Sequence, residues 1–306
     1  MPDAKTRHHR EVVVTEMLLI AMAVIWGCNF TVNKYGTQVL EPLVYTTIRM
    51  VAGTIAMMVL ILAGRKSKAT RTEKMRLLML GLLGHGAYQL LFIYGIARTR
   101  AGTAALVIAS SPAIIAIVMR TFRHERLAPR ALVGIALSIL GIAIVMAGSA
   151  QEAHGGSSVV GDLMILGAVV CWGFYTMWLK PLTHIEGTEL AAWTLLGGTA
   201  PLVLIATPAL LQTDFHVIAP LTWAAIAYSG LGSMGLGYLF WYRGVRVIGP
   251  TRTAMFSNLQ PIVAVLVSWP LLGEHPTPWQ GVGALGVMIG LWLTRQIPAV
   301  EPAHGE

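Results

Sequence analysis

The chain has 306 residues, of which 55% are hydrophobic and only 12% charged, with a mean hydropathy of +0.67. An average soluble domain carries about 25% charged residues, so this composition excludes a disordered chain, a secreted scaffold and a nucleic-acid module. The net charge of +8 would suggest a polyanion partner, but the placement of the 22 Lys and Arg gives it another meaning. Cys28 and Cys171 both lie in apolar stretches, which leaves no disulfide framework and no cysteine-based zinc site.

A bilayer core of about 30 Å needs about 20 apolar residues as helix. Ten such windows occur, at 15–34, 43–63, 77–97, 101–119, 130–149, 160–180, 189–211, 221–242, 252–272 and 278–295. The sequence therefore predicts an all-α integral membrane protein of ten transmembrane helices. Residues 1–14 read as a short basic tail rather than a cleaved signal peptide. Eighteen Lys and Arg fall on one side of this topology, in the tail, at 65–76, at 120–130 and at Lys180, Arg243, Arg246, Arg252 and Arg295. Lys34, Arg98 and Arg100 fall on the other, and Arg49 lies inside a span. Basic loops stay cytoplasmic, so both termini are expected inside and the loop 150–159 outside.

The first span carries Trp26 deep in the membrane, with Asn29 and Asn33 one turn apart. Asn29-Phe30-Thr31 also matches a glycosylation acceptor, which an intramembrane position rules out. Arg49 in the second span lies about 10 Å in, at 1.5 Å per residue; it can snorkel outward or oppose a substrate carboxylate. His85, Tyr88 and Gln89 follow in the third span, and Ser110, Ser111 and Pro112 interrupt the fourth. Trp172 and Tyr175 lie in the sixth span and Tyr238 in the eighth, while Asn258, Gln260 and Pro261 interrupt the ninth. Polar side chains are costly to present to lipid, so these residues are expected to face the bundle interior. Interhelical hydrogen bonding without substrate contact is the plainer alternative.

Each proline removes a backbone donor and crowds a carbonyl four residues back. Pro112 and Pro261 thus mark freed carbonyls that can bind an ammonium group beside polar side chains, bends used in gating, or fixed kinks. Trp178, Trp241, Tyr242 and Tyr94 lie at span ends, where an interfacial belt accounts for them. Two GxGxxG strings, Gly230-Gly232-Gly235 and Gly281-Gly283-Gly286, lack the strand that a dinucleotide site requires. They read instead as close packing of small residues, with Ser229, Ser233 and Gly237 on one face and Gly286 and Gly290 on another.

The halves repeat. An offset of 146 sets Trp26-Gly27 on Trp172-Gly173 and Lys34 on Lys180. An offset of 149 sets Gly81 on Gly230, Gly86 on Gly235, Ala105 on Ala254, Pro112 on Pro261, Glu125 on Glu274, Pro129 on Pro278 and Gly141 on Gly290. Five spans per half is an odd number, so the second repeat (151–306) must be inverted relative to the first (1–150). Inverted repeats mark transporters with a site near the midplane between the halves.

Trp26-Gly27-Cys28-Asn29-Phe30 with Lys34, Pro42, Arg49, Tyr94, Pro112, Glu125, Gly134 and Gly141, repeated through Pro261, Glu274, Gly283 and Gly290, resembles an EamA-type member of the drug/metabolite transporter superfamily. Within it the chain looks most similar to YddG-type exporters of aromatic and other amino acids. Cys28, where serine is commoner, is a departure that leaves the fold intact. The resemblance implies a bacterial inner-membrane exporter of small molecules; the expected partners are a small-molecule substrate and the lipid bilayer, with no cofactor, metal or nucleic acid expected, and the oligomeric state, a monomer or larger, stays open.

The residues themselves fit amino acids, nucleosides or cationic drugs equally well. All fourteen Asp and Glu fall in tails, loops or span ends, and His85 is the one midspan group that titrates near neutrality. This favours facilitated export over proton antiport. No nucleophile with an adjacent base lies in the spans, which weakens a membrane-enzyme reading.

Overall fold

Long apolar runs must satisfy their own backbone hydrogen bonds in lipid, and helices do this within one segment. The computed structural model describes residues 4–64, 69–123, 129–151, 159–248, 253 and 256–294. Arg65, Lys66, Lys68, Glu125, Arg126, the loop 152–158, Arg252, Ala254 and Arg295 of the sequence reading lie outside the described residues. Seven of the described helices are each long and apolar enough to cross a membrane: His9–Val39, Pro42–Ala63, Arg71–Arg98, Ala101–Phe122, Pro129–Gly148, Val159–Leu182 and Gly187–Gln212. Further helical runs follow at 220–248, 256–272 and 278–294.

In chain order these are α1 (Ala4–Val39), α2 (Pro42–Ala63), α3 (Arg71–Gly81) and α4 (Tyr88–Arg98), then α5 (Ala101–Ala109), α6 (Ser111–Arg123) and α7 (Pro129–Gln151). The remainder are α8 (Val159–Leu179), α9 (Gly187–Gln212), α10 (Pro220–Ala227), α11 (Tyr238–Ile248), α12 (Gln260–Leu272) and α13 (Pro278–Thr294). The first helix begins at Ala4, so much of the expected basic tail continues α1. Proline opens α2, α7, α10 and α13, where its missing N–H costs no hydrogen bond. A capping box of Thr70 and Glu73 starts α3.

Helix–helix contacts come in mirrored pairs. The packing of α4 on α8 is matched by α11 on α1, that of α12 on α1 by α6 on α8, and that of the 82–87 segment on α9 by the 228–237 segment on α2. Two further pairs, α2 with α9 and α7 with α13, join equivalent helices of the two repeats. Glycines make these approaches possible, as expected in membranes where van der Waals contact drives association. A Cβ on Gly290 would meet the Gly134 carbonyl and the Ser138 hydroxyl, and one on Gly286 would lie against Gly141. Neither GxGxxG string follows a strand: Gly281-Gly283-Gly286 lies in α13 and Gly230-Gly232-Gly235 lies between α10 and α11.

Helix α12 ends at Gly273, whose φ of 67° is left-handed and whose N–H returns to the Trp269 carbonyl. A side chain there would touch nothing, so only backbone strain opposes one. Gly273→Ala is expected to lower stability by about 1 kcal/mol, read as a melting shift in detergent, whereas Gly273→Asn should cost less.

Candidate functional site

Four interruptions of helix geometry, two in each repeat, define the centre of the molecule. Between α3 and α4, residues Leu82–Ala87 form π-helical turns; between α10 and α11, Tyr228–Gly237 do the same. Leu82 and Leu231 are equivalent under the 149-residue offset, so the two π segments are a repeated feature. Such turns are rare and recur at functional sites. The third and fourth lie before the prolines: α5 stops at Ala109, and a 3-10 turn at Ser257–Leu259 precedes α12. Pro112 and Pro261 therefore sit in the first turn of the helix that follows each break, not in the interior of a continuous helix.

These interruptions surround a cavity of about 110 Å³. An engineered cavity of about 150 Å³ accepts benzene, so the space is of the order of one aromatic ring. Of the residues expected at the site, Trp26, Asn29, Arg49, Tyr88 and Gln89 line it from the first repeat, with Ser111 and Pro112 at the α5–α6 break. Trp172, Tyr238 and Gln260 line it from the second. Trp26 and Trp172 thus flank one space from opposite repeats, Trp26 at 5.6 Å and Trp172 at 6.4 Å from the Tyr238 ring. The Trp26 indole donates to the Ser233 carbonyl at 3.0 Å, and a Cβ on Gly237 would run into that indole.

Arg49 does not snorkel. Only 1% of its surface is exposed, and its guanidinium donates to Ser229 Oγ (3.1 Å), Thr46 Oγ1 (3.1 Å) and Gln89 Oε1 (2.5 Å). Ser229 in turn donates to Asn33 Oδ1 at 3.0 Å. These are neutral groups, and Arg49 Nε has no hydrogen-bond partner among the described residues. A buried guanidinium without a carboxylate partner leaves a charge uncompensated, which normally requires pairing. The Asn29 Oδ1 acceptor is also unpartnered among the described residues.

The remaining expected residues do not line the cavity. Asn33 stands behind Arg49 through Ser229. His85 is fully buried and packed edge-on against Tyr175, Tyr238 and Trp172, with ring centroids 5.5, 5.1 and 6.4 Å away. Its Nδ1 lies 3.4 Å from the Tyr238 hydroxyl. Tyr175 shares a hydrogen bond with Tyr242 at 3.0 Å, and Ser110 donates to the Val107 carbonyl within its own turn. Asn258 and Pro261 are buried beside the 3-10 turn without reaching the cavity wall.

Two assignments to the interfacial belt are corrected. Trp241 lines the cavity with its ring tilted against Trp26 at 5.8 Å; Tyr242 is buried against Tyr175. Both sit near the end of a hydrophobic window, but the π turns before α11 rotate them inward. Trp178 stays half exposed, and the Tyr94 hydroxyl donates to Glu41 at 2.9 Å. Ser229 and Ser233, read as a packing face, belong to the site. Phe30, Phe92, Ile108, Ala109, Ile115, Met234 and Ser257 complete its wall and carry no signal that separates them from ordinary apolar helix residues.

Beyond one end of the cavity, which we call the sealed end for these bonds, polar contacts join the two repeats. Thr99 donates to Asp162, Arg100 to the His275 carbonyl, and Gln280 to Thr103 Oγ1 at 2.9 Å. Glu274 accepts from the Ala101 N–H at 2.8 Å, with burial pushing its carboxyl above the usual range against the pull of Lys34 and Arg100. This end joins α5 to α12, whose Val265 lies close against Gly102. At the other end α6 packs on α7 and α8, and Ile115, Trp241 and Ser257 form the wall.

A sequence model of the EamA-like transporter family matches the chain twice, over residues 14–147 and 159–296. The chain belongs to the EamA-like transporter family. This EamA-like chain is 26% identical over 280 residues to the uncharacterized transporter YyaM of Bacillus subtilis, covering 90% of the chain and 91% of the relative. It is 28% identical over 282 residues to a “Probable terminal-alkyne amino-acid exporter” of Streptantibioticus cattleyicolor, covering 91% and 92%. A crystal structure superposes with a TM-score of 0.66 at 16% identity, over 92% of the chain and 96% of that structure, a likeness of fold. The two family copies coincide with the two halves of the sequence repeat, and the EamA-like cavity lies between them.

Proposed function

We propose that the chain is a bacterial inner-membrane exporter of small metabolites, chiefly aromatic and other neutral amino acids, working by alternating access. The observation that carries the reading is Arg49, a buried guanidinium facing a ring-lined cavity with neutral partners. A substrate carboxylate supplies the missing charge through charge-assisted hydrogen bonds, and the Trp26, Trp172, Tyr238 and Trp241 rings receive an aromatic or apolar side chain. The amino-acid exporter among the relatives supports the same substrate class.

Ten spans in two inverted five-helix repeats (1–150 and 151–306), with both termini in the cytoplasm, fit the mirrored helix contacts and the eighteen-to-three distribution of Lys and Arg. In this orientation the sealed end faces outward and the end at Ile115, Trp241 and Ser257 faces the cytoplasm. Val217, in the 213–219 connection and 77% exposed, then faces the outside. An impermeant thiol reagent added to intact cells is expected to label Val217→Cys in a background where Cys28 and Cys171 are Ser. Labelling that requires lysis contradicts the orientation.

The described intramembrane surface offers no carboxylate at the cavity wall, and His85 is enclosed by rings. Transport is therefore facilitative. Counterflow of labelled L-phenylalanine in proteoliposomes is expected without an imposed ion gradient, and His85→Gln should retain it within about threefold, since no step assigns His85 a proton. Flux that depends strictly on a pH gradient and disappears in His85→Gln replaces this reading with proton antiport; a chemically altered product replaces it with a membrane enzyme.

A further inference from the structure

The charge count of the cavity reaches beyond the amino-acid reading on which it rests. Arg49 is the one formally charged residue in the cavity wall among the described residues, and arginine stays protonated in proteins. An amino-acid zwitterion brings a carboxylate to it together with an ammonium group, so the loaded site keeps one net positive charge. What the wall offers that ammonium is neutral: the unpartnered Asn29 Oδ1, the Gln89 and Gln260 amides, serine oxygens and ring faces. Cation–π attraction and neutral amide acceptors are weaker than the desolvation of an ion without a counter-ion. A monocarboxylate without an ammonium group brings the loaded site to zero charge.

We propose that the site also carries aromatic or apolar monocarboxylate anions lacking an ammonium group and binds them more tightly than it binds amino acids, and that their export moves one negative charge outward. An inside-negative membrane potential then drives the cycle. Each anion leaving the cytoplasm moves down the electrical gradient, and Arg49 stays with the protein in both exposures. Export against a solute gradient needs no coupled ion under these conditions, which fits a cavity wall without carboxylates. A potential of about 100 mV corresponds to an about 50-fold gradient for one charge.

Three probes on one phenylethyl frame separate the possibilities: L-phenylalanine carries both charges, 3-phenylpropionate only the carboxylate and phenethylamine only the ammonium. Competition binding and efflux are measured at pH 8 with the purified full-length chain in proteoliposomes, with protein-free vesicles subtracted. The expected result is binding of 3-phenylpropionate at least about tenfold tighter than L-phenylalanine and no saturable binding of phenethylamine. A valinomycin–potassium potential, negative inside, should accelerate 3-phenylpropionate efflux severalfold and leave L-phenylalanine efflux unchanged. If L-phenylalanine binds as tightly or more tightly, or 3-phenylpropionate efflux ignores the potential, the anion inference is overturned while the carboxylate reading survives. If phenethylamine alone binds, or none of the three does, both fall.

Discussion

Arg49→Gln abolishes saturable counterflow of every carboxylate-bearing solute while leaving the helical bundle folded. The wild-type guanidinium is held by Ser229, Thr46 and Gln89, so its position is fixed before any ligand arrives. Removing one partner of a buried ion pair costs about 3–5 kcal/mol. At about 1.4 kcal/mol per tenfold, half-saturation should rise at least a hundredfold. In the unliganded protein the same guanidinium is a buried charge with neutral partners, and replacing it by an amide relieves that cost. The melting temperature of the ligand-free variant should therefore stay unchanged or rise, and ligand-induced stabilisation should vanish. A variant that melts early, or one that still shows wild-type affinity, contradicts the assignment of Arg49 as the carboxylate anchor.

The second large effect concerns the interface of α3 and α9. A Cβ on Gly197 would drive into the Leu78 carbonyl, and one on Gly81 into the Thr194 carbonyl. The clash is with backbone on both sides, which no rotamer change can relieve. Overpacking typically costs about 1–3 kcal/mol and occasionally more, and here the upper end applies because the helices must separate. Gly197→Ala is expected to lower stability in detergent by about 3 kcal/mol and to reduce the yield of folded protein. Gly281→Ala is the control: nothing lies within reach of its Cβ, and alanine is the better helix former by about 1 kcal/mol. Equal melting of the two variants would show that the α3–α9 approach is looser than described.

Much of this fold is written in the sequence because lipid imposes a one-dimensional rule: an apolar window of the right length becomes a helix. The repeat was equally legible, since Pro112 with Pro261, Pro129 with Pro278 and Gly141 with Gly290 keep one register. Arg49 stood out because an intramembrane cation needs a reason. Its partner Ser229 did not, because the two are 180 residues apart and meet only through packing. Trp241 shows a second limit. A tryptophan near the end of a window fits the lipid interface or a cavity equally well until the rotation of its helix is known, and the π turns of Tyr228–Gly237 set that rotation. Those turns left one trace, the density of glycine at 81–86 and 230–237, which close packing explains as readily.

Alternating access exposes a single cavity to one side of the membrane at a time. Its most direct test is side-resolved labelling of Ser111→Cys, at the cavity wall beside the α5–α6 break, in the Cys28→Ser, Cys171→Ser background. An impermeant thiol reagent should label it from the cytoplasmic side in the absence of solute, and from the outside only during turnover with a transported carboxylate. Labelling from both sides at similar rates without solute would describe a channel, and labelling from one side under all conditions would contradict alternating access.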